Sequence, residues 1–182
     1  MEYPTEWVTV FTAKNGIKVE FRPKQSGDTE MLWNMFSTLS EDSLSNLIPP
    51  FTRERIEGWT SNINYDEVLA IVAVIKEKNK QRIVGSASLK FNPHEHSKHK
   101  AELGITVHDE FQNLGIGTAL VKQLLNIARV KKLRKVWLQV NTNNDVAIHI
   151  YNKAGFQTEG KLCKERYING KYRDEYRMAI LL

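Results

Sequence analysis

The chain has 182 residues, 41% of them hydrophobic, with 26 Lys and Arg against 21 Asp and Glu. That length suits one domain, and four Trp, seven Phe and six Tyr beside a 26% charged fraction exclude global disorder. No stretch approaches the roughly 20 apolar residues that span a bilayer, and Met1-Glu2-Tyr3-Pro4-Thr5-Glu6 lacks the apolar run of a signal peptide, so a cytoplasmic location is expected.

Trp7-Val8-Thr9-Val10-Phe11 and Ile17-Lys18-Val19-Glu20-Phe21 alternate around Asn15-Gly16, which predicts an opening hairpin. Ser26-Gly27-Asp28 precedes a helical pattern that puts Met31, Leu32, Met35, Phe36 and Leu39 on one face. A short apolar helix or turn follows, closed by Pro49-Pro50, and Thr52 is placed to cap a further helix carrying Ile56 and Trp59. Val68 to Ile75 is a nearly continuous apolar run rich in β-branched residues, as in a strand buried on both faces. A charged turn is expected at Lys76 to Lys80, a strand at Arg82 to Phe91, and a polar loop from Asn92 to His99.

Glu102 to Val107 predicts another strand, and Leu114 to Val130 a long helix with Leu120, Val121, Leu124, Leu125 and Ala128 at helical spacing. A buried strand at Val136 to Val140 and a helix from Asn143 to Ala154, stopped by Gly155, come next. Two last strands, near Phe156–Cys163 and Tyr172–Ile180, flank a second Asn-Gly turn at Asn169-Gly170. This order predicts a mixed sheet with helices on its faces.

Charge is uneven: residues 1–91 carry a net −1 and residues 92–182 a net +6. The densest run, Lys131-Lys132-Leu133-Arg134-Lys135, falls where a helix should end, and cations there complement the helix dipole without any partner. No nucleic-acid-binding motif and no repeat is present. His94, His96 and His99 have a chelating spacing, yet they sit on a loop that holds no ligand in place, so no metal is expected. The single cysteine, Cys163, can form no internal disulfide and reads as a strand residue.

The sharpest local feature is Gln112-Asn113-Leu114-Gly115-Ile116-Gly117-Thr118, between a strand and a long helix. Glycines there let backbone approach a ligand, and free N–H groups with the helix dipole favour a phosphate or pyrophosphate. The run is neither a Walker loop nor the three-glycine dinucleotide fingerprint.

Gln112, Gly115 and Gly117, with Asn144, Ala147, Tyr151, Gly155 and Phe156 downstream, resemble the two spaced motifs of the GNAT superfamily of acyl-CoA-dependent N-acetyltransferases. Ala101-Glu102-Leu103-Gly104-Ile105 is similar to that family's fourth strand, and the resemblance covers roughly residues 17–182. It implies a single GNAT domain over 1–182 with an extra N-terminal strand at about 7–12. The implied fold is a mixed α/β (α+β) sheet of about seven strands, splayed between the fourth and fifth, with helices on both faces. It implies acetyl-CoA as cosubstrate, with the backbone of Gln112, Asn113, Leu114, Gly115, Ile116, Gly117 and Thr118 on its pyrophosphate. Ile105, Thr106 and Val107 would line the pantetheine arm, with Asn144 and Ala147 on the far side. Dimers are common in the family.

The chemistry is attack of an amine on a thioester and departure of a thiolate. A lysine-type amine has a pKa near 10.4, so freeing its lone pair at pH 7 costs roughly 4–5 kcal/mol. A site lowers this with a base or by desolvation. A thiol pKa of about 8.5 against about 10 for a phenol lets a tyrosine reprotonate the leaving group. The family spacing gives that role to Tyr151, and Glu102, at the start of an apolar strand, is the candidate base, directly or through water. His108 and His149 are alternatives, although histidines at sheet edges and on helix surfaces are ordinarily just solvated.

For the acceptor, Phe21-Arg22-Pro23, Leu39-Ser40-Glu41-Asp42-Ser43 and Leu69 to Val74 are similar to Pat-type protein-lysine acetyltransferases. Tyr151 to Met178 is similar to ribosomal-protein N-terminal and spermidine acetyltransferases. A protein lysine or N-terminal amine is therefore expected, with a polyamine, amino acid or antibiotic amine as the alternative. A cofactor-sensing module without turnover is a third reading, against which the intact glycine motif and Tyr151 argue.

Overall fold

The structure, a computed structural model, describes residues 3–77 and 80–182. Its strands are β1 Thr9–Thr12, β2 Lys18–Pro23, β3 Val68–Glu77, β4 Lys80–Phe91, β5 Lys100–Val107, β6 Lys135–Asn141, β7 Gln157–Ile168 and β8 Lys171–Leu181. They form one eight-stranded sheet in the order β1-β2-β3-β4-β5-β6-β8-β7. Every neighbouring pair is antiparallel except β5 and β6, which run parallel because α4 carries the chain between them. The helices are α1 Thr29–Ser37, α2 Glu41–Ser45, α3 Arg53–Ser61, α4 Ile116–Val130 and α5 Asp145–Lys153.

Alternation along the strands separates two cores. Leu69, Ile71, Ala73 and Ile75 face α4 and α5, and Leu120, Val121, Leu124, Ile127, Tyr151 and Phe156 close over them. Val72 and Val74 point the other way, to Leu32, Met35 and Phe36 of α1 and Ile56 of α3. The same parity runs through the second half of the sheet. Ala101 and Leu103 of β5 and Val136, Leu138 and Val140 of β6 join the α4 core, so Glu102, Trp137, Gln139 and Asn141 face the side that α1, α2 and α3 cover.

Local signals act where the sequence places them. Thr52 caps α3 by accepting from the Arg55 amide, and Ser40 caps α2 through Ser43. Asn169 and Gly170 both have positive φ, 50° and 78°, which turns β7 tightly into β8. Asp28 is buried and takes a two-pronged ion pair from Arg22, at 2.6 and 2.8 Å, plus the Gln25 amide at 2.7 Å, fixing the entry to α1.

Several boundaries differ from expectation. Trp7 belongs to a 3-10 turn, Thr5–Trp7, because its ring packs on the α4 core and its carbonyl accepts from Gln123, so β1 starts only at Thr9. Lys76 and Glu77 continue β3 and Lys80 opens β4, while the rest of the expected turn, residues 78–79, lies outside the described residues. The segment after α1 is a true helix, α2. Helix α4 begins at Ile116 rather than Leu114, since Gly115 is its left-handed N-cap, and β7 continues past Cys163 to Ile168, pairing with β8 between Lys171 and Ala179 across two register shifts.

Candidate active site

The parallel pairing of β5 and β6 consists of Lys100 with Lys135, Ala101 with Val136 and Glu102 with Trp137. Both strands continue, to Val107 and Asn141, but they no longer pair with each other. The main-chain groups of Leu103 to Val107 on that edge are left without a sheet partner, and unpaired backbone at a sheet's centre calls for another chain-like group to bond. Glu102 stands at the closed apex of this opening. Ile105 and Val107, half-buried, lean to the α4 side, while Thr106 leans to the other.

At the open end of β5 the chain makes the turn read as an anion site. Asn113 and Gly115 take positive φ, 61° and 87°, and α4 starts with no side chain capping its first amides. The N–H groups of Ile116, Gly117 and Thr118 therefore point out of the helix toward whatever lies above the opening. The Ile116 side chain itself is core. Leu114 offers its carbonyl to the Lys14 amide at 3.1 Å, and Phe11 lies 3.4 Å from where a Gly115 Cβ would stand, so the N-terminal hairpin buttresses the turn. A Cβ on Gly117 would project among Ile150, Val107 and Ile105 at 3.5–3.8 Å, over the groove.

Gln112 has a positioning task not read from sequence. Its Nε2 donates to the Val107 carbonyl at 3.2 Å and to Ser43 Oγ at 3.3 Å. Ser43 and Ser40 in turn donate to Asp109, whose oxygens lie 2.6 Å from Ser43 Oγ, 2.7 Å from Ser40 Oγ and 2.9 Å from the Ser40 amide. Burial alone would raise the Asp109 carboxyl, but these donors outweigh it and hold the pKa at about 2. This network ties α2 to the turn.

His108 differs from its expected solvated state: it is 4% exposed. Its Nδ1 accepts from the Glu110 amide at 3.4 Å, which places the proton on Nε2, 3.0 Å from Thr38 Oγ1. Its role is to join α1 to the end of β5. His149 is exposed on α5.

Asn144 uses its side-chain oxygen to cap α5, accepting from the Ala147 amide at 3.1 Å, and Ala147 packs on the core. One turn further, Tyr151 is 6% exposed and its ring meets Phe156 at 5.7 Å. Burial, uncompensated by any charge or hydrogen bond, pushes its phenol well above the ordinary tyrosine range, so the hydroxyl keeps its proton at every working pH. Tyr151 and Glu102 are thus not neighbours. Tyr151 belongs to the α4 side of the sheet and Glu102 to the α1–α3 side, with the opening between them.

Two further residues went unnoticed in the sequence. Asn141 ends β6, 3% exposed, and Glu175 is its partner across β8, 7% exposed. Their burial comes from α2 and from Arg166 on β7, which approaches Glu175 to 3.5 Å and also donates to the Leu47 carbonyl. The available signal was a polar residue closing an apolar strand. Between α2 and the start of α5 lies a cavity of about 220 Å³, walled by Asp42, Ser45, Asn46, Asn143, Asn144, Asp145 and Val146. Among the described residues no group of three metal-ligating side chains converges.

Residues 33–156 match the acetyltransferase (GNAT) family. The chain belongs to that family. GNAT acetyltransferases use acetyl-CoA, and the free edge of β5 and the uncapped α4 fit such a cosubstrate. The chain is 41% identical over 86 residues to spermidine N(1)-acetyltransferase of Escherichia coli K12, covering 47% of this chain and 46% of that one. It is 31% identical over 98 residues to the L-amino acid N-acetyltransferase AaaT of the same strain, covering 53% and 60%. The chain thus spans about half the length of these curated spermidine acetyltransferase relatives. The structure of Vibrio cholerae spermidine N-acetyltransferase in complex with CoA and spermine superposes with a TM-score of 0.75 at 27% identity, over 90% of this chain and 95% of that one. The GNAT domain of S. lividans PAT, at 19% identity and a TM-score of 0.79 over the full length of both chains, shares the fold. Among the described residues no helix is long and apolar enough to cross a membrane.

Proposed function

We propose that the enzyme moves an acetyl group from acetyl-CoA directly to the primary amine of a small molecule. The observation that carries this reading is the opening between β5 and β6, with free β5 backbone along it and the uncapped α4 amides at its mouth. Acetyl-CoA supplies the thioester, and the chain's own groups divide the remaining tasks by the face of the sheet. Amides of residues 113–118 take phosphate charge, and the β5 edge from Leu103 to Val107 bonds an extended amide-bearing arm. Tyr151, on the α4 side, holds a proton for the departing sulfur. Its raised pKa makes it a reluctant full donor and a steady hydrogen-bond donor. Glu102 is on the opposite face at the apex, where a proton from the amine reaches it through water.

The acceptor class follows from the other wall. The cavity beside α2 is small and carries Asp42 and Asp145, which suits a compact cationic amine better than a folded protein. Relatives named for spermidine and for amino acids agree with this. CoA-thiol release should be measured with two pools, one of peptides with free lysines or N-termini, the other of polyamines, amino acids and aminoglycosides. Turnover confined to the second pool is expected, and turnover confined to the first would move the acceptor to protein amines.

A further inference from the structure

Beneath α2, on the face of the sheet away from Tyr151, two acceptor groups stand side by side, one without a donor and the other matched only by a shared arginine. The Asn141 Nδ2 donates to the Ser45 carbonyl at 3.4 Å and to Asn46 Oδ1 at 2.8 Å. Because a carbonyl can only accept, this bond fixes which end of the amide is nitrogen. The remaining atom, Asn141 Oδ1, is then left buried, and among the described residues it is the buried side-chain polar atom with no partner. Such an atom has given up its bonds to water and gets nothing back unless something else bonds it.

Its neighbour is an acid. Asn141 and Glu175 are directly opposed in the β6–β8 ladder, so both side chains leave the sheet on the same face, with Cβ atoms roughly 5 Å apart. Glu175 is matched by a single cation, Arg166, at 3.5 Å, and Arg166 is shared with the Leu47 carbonyl. Desolvation raises the Glu175 carboxyl, Arg166 partly offsets this, and Glu165 on the same strand adds to it. An incoming positive charge would relieve that strain on the carboxylate. Two buried acceptors, one of them an acid, and no free donor complement a group that is positively charged and rich in N–H.

We propose that Asn141 Oδ1 and the Glu175 carboxylate form a subsite for a protonated amino group of the acceptor. This rests on the amine-acetyltransferase reading above and names where that acceptor is gripped. Ser45 and Asn46, which hold Asn141, also wall the cavity carrying Asp42 and Asp145, so the subsite adjoins a route already suited to cations. Asn141 closes β6 at the open end of the groove, about four strand residues or ~13 Å from the apex at Trp137. The pair therefore grips the acceptor, and its removal should act on acceptor binding rather than on the cosubstrate.

The test uses the full chain saturated with CoA, titrated calorimetrically with spermidine and with n-butylamine, beside steady-state acetylation of both. Glu175→Gln keeps the side chain's size. It should weaken spermidine binding at least tenfold and raise KM correspondingly, with kcat less affected and the CoA dissociation constant unchanged. Glu175→Asp, which keeps the charge but withdraws it by one methylene, should fall between. Thermal melting confirms that each variant is folded, and should Glu175→Gln prove unfolded, Glu175→Asp carries the test alone. Spermidine binding and KM unaltered in a folded variant would overturn the subsite while leaving the acetyltransferase reading intact. Wild-type protein that binds neither amine would overturn it too. Glu175-dependent amine binding without any acetylation would uphold the subsite and sink the small-amine acceptor instead.

Discussion

At the scale of one residue, the proposed mechanism rests most heavily on Tyr151. Its phenol is buried, uncompensated and on the face opposite the acceptor side. Tyr151→Phe keeps the ring against Phe156 and removes only the proton. Turnover should fall about a hundredfold or more, while CoA affinity by calorimetry stays within about twofold, and unchanged turnover would end the role given to Tyr151. Asp109 makes a different prediction. Its folded pKa of about 2 lies below the ordinary aspartate value, so its bonds to Ser40 and Ser43 stabilise the protein fully above about pH 4 and lose that contribution as pH falls toward 2. Asp109→Asn should lower stability by about 1–2 kcal/mol at pH 7, with melting curves converging on the wild type in acid. A constant gap across that window would point to lost packing. Neither Asp109 nor His108 announced its task in the sequence. Both follow β5 among ordinary polar neighbours, and their partners, Thr38, Ser40 and Ser43, come from about 70 positions earlier.

Among the elements, α4 and its entry turn were the most legible, because every signal there is local. Helical spacing gave the buried face, the glycines marked the turn, and the strand before them fixed the setting, although the left-handed cap at Gly115 moved the helix start from Leu114 to Ile116. Gly117 offers a clean test, since a Cβ there meets only ordinary contacts at 3.5 Å or more. Gly117→Ala should leave the fold as stable or firmer by up to about 1 kcal/mol, yet weaken CoA about tenfold or more, because the methyl occupies the groove. A variant that melts higher and binds CoA normally would remove the turn from the cosubstrate site. The Asn-Gly hairpins were equally plain. Helix α2 was not: five residues long and only partly apolar, it exists through Ser40, Asp109 and the β7 contact rather than through its own pattern. Asn141 and Glu175 are buried by that same helix, so reading the strands alone could not have found them.

Across the whole molecule, charge and fold are arranged separately. The basic excess of residues 92–182, a net +6, leaves the whole chain at +5, which should draw in a polyphosphate cosubstrate from a distance, while the cavity beside α2 is locally acidic. The CoA association rate should therefore drop severalfold between about 50 and 500 mM salt, with dissociation changing less. Stopped-flow measurement at two ionic strengths checks it, and a salt-independent association rate would show that steering is absent. The order of strands and helices could be read from periodicity because each element is amphipathic in its own right. The two faces of the opening could not, since which side Glu102 and Tyr151 take depends on how β5 and β6 part.

On the proposed function, that parting would make the cosubstrate a structural member as well as a reactant. Five strands lie on one side of the three-pair join and three on the other, and a bound pantetheine arm would complete the hydrogen bonding that β5 lacks. The alternate amides between Leu103 and Val107 that face the opening rather than β4 should then exchange with solvent slowly in saturating CoA and quickly without it. The melting point should climb with ligand as binding linkage requires, about 2.7 kcal/mol at a hundred times Kd. Each round of catalysis would, on the proposed function, knit the sheet shut and unpick it again, and product release would include the unpicking.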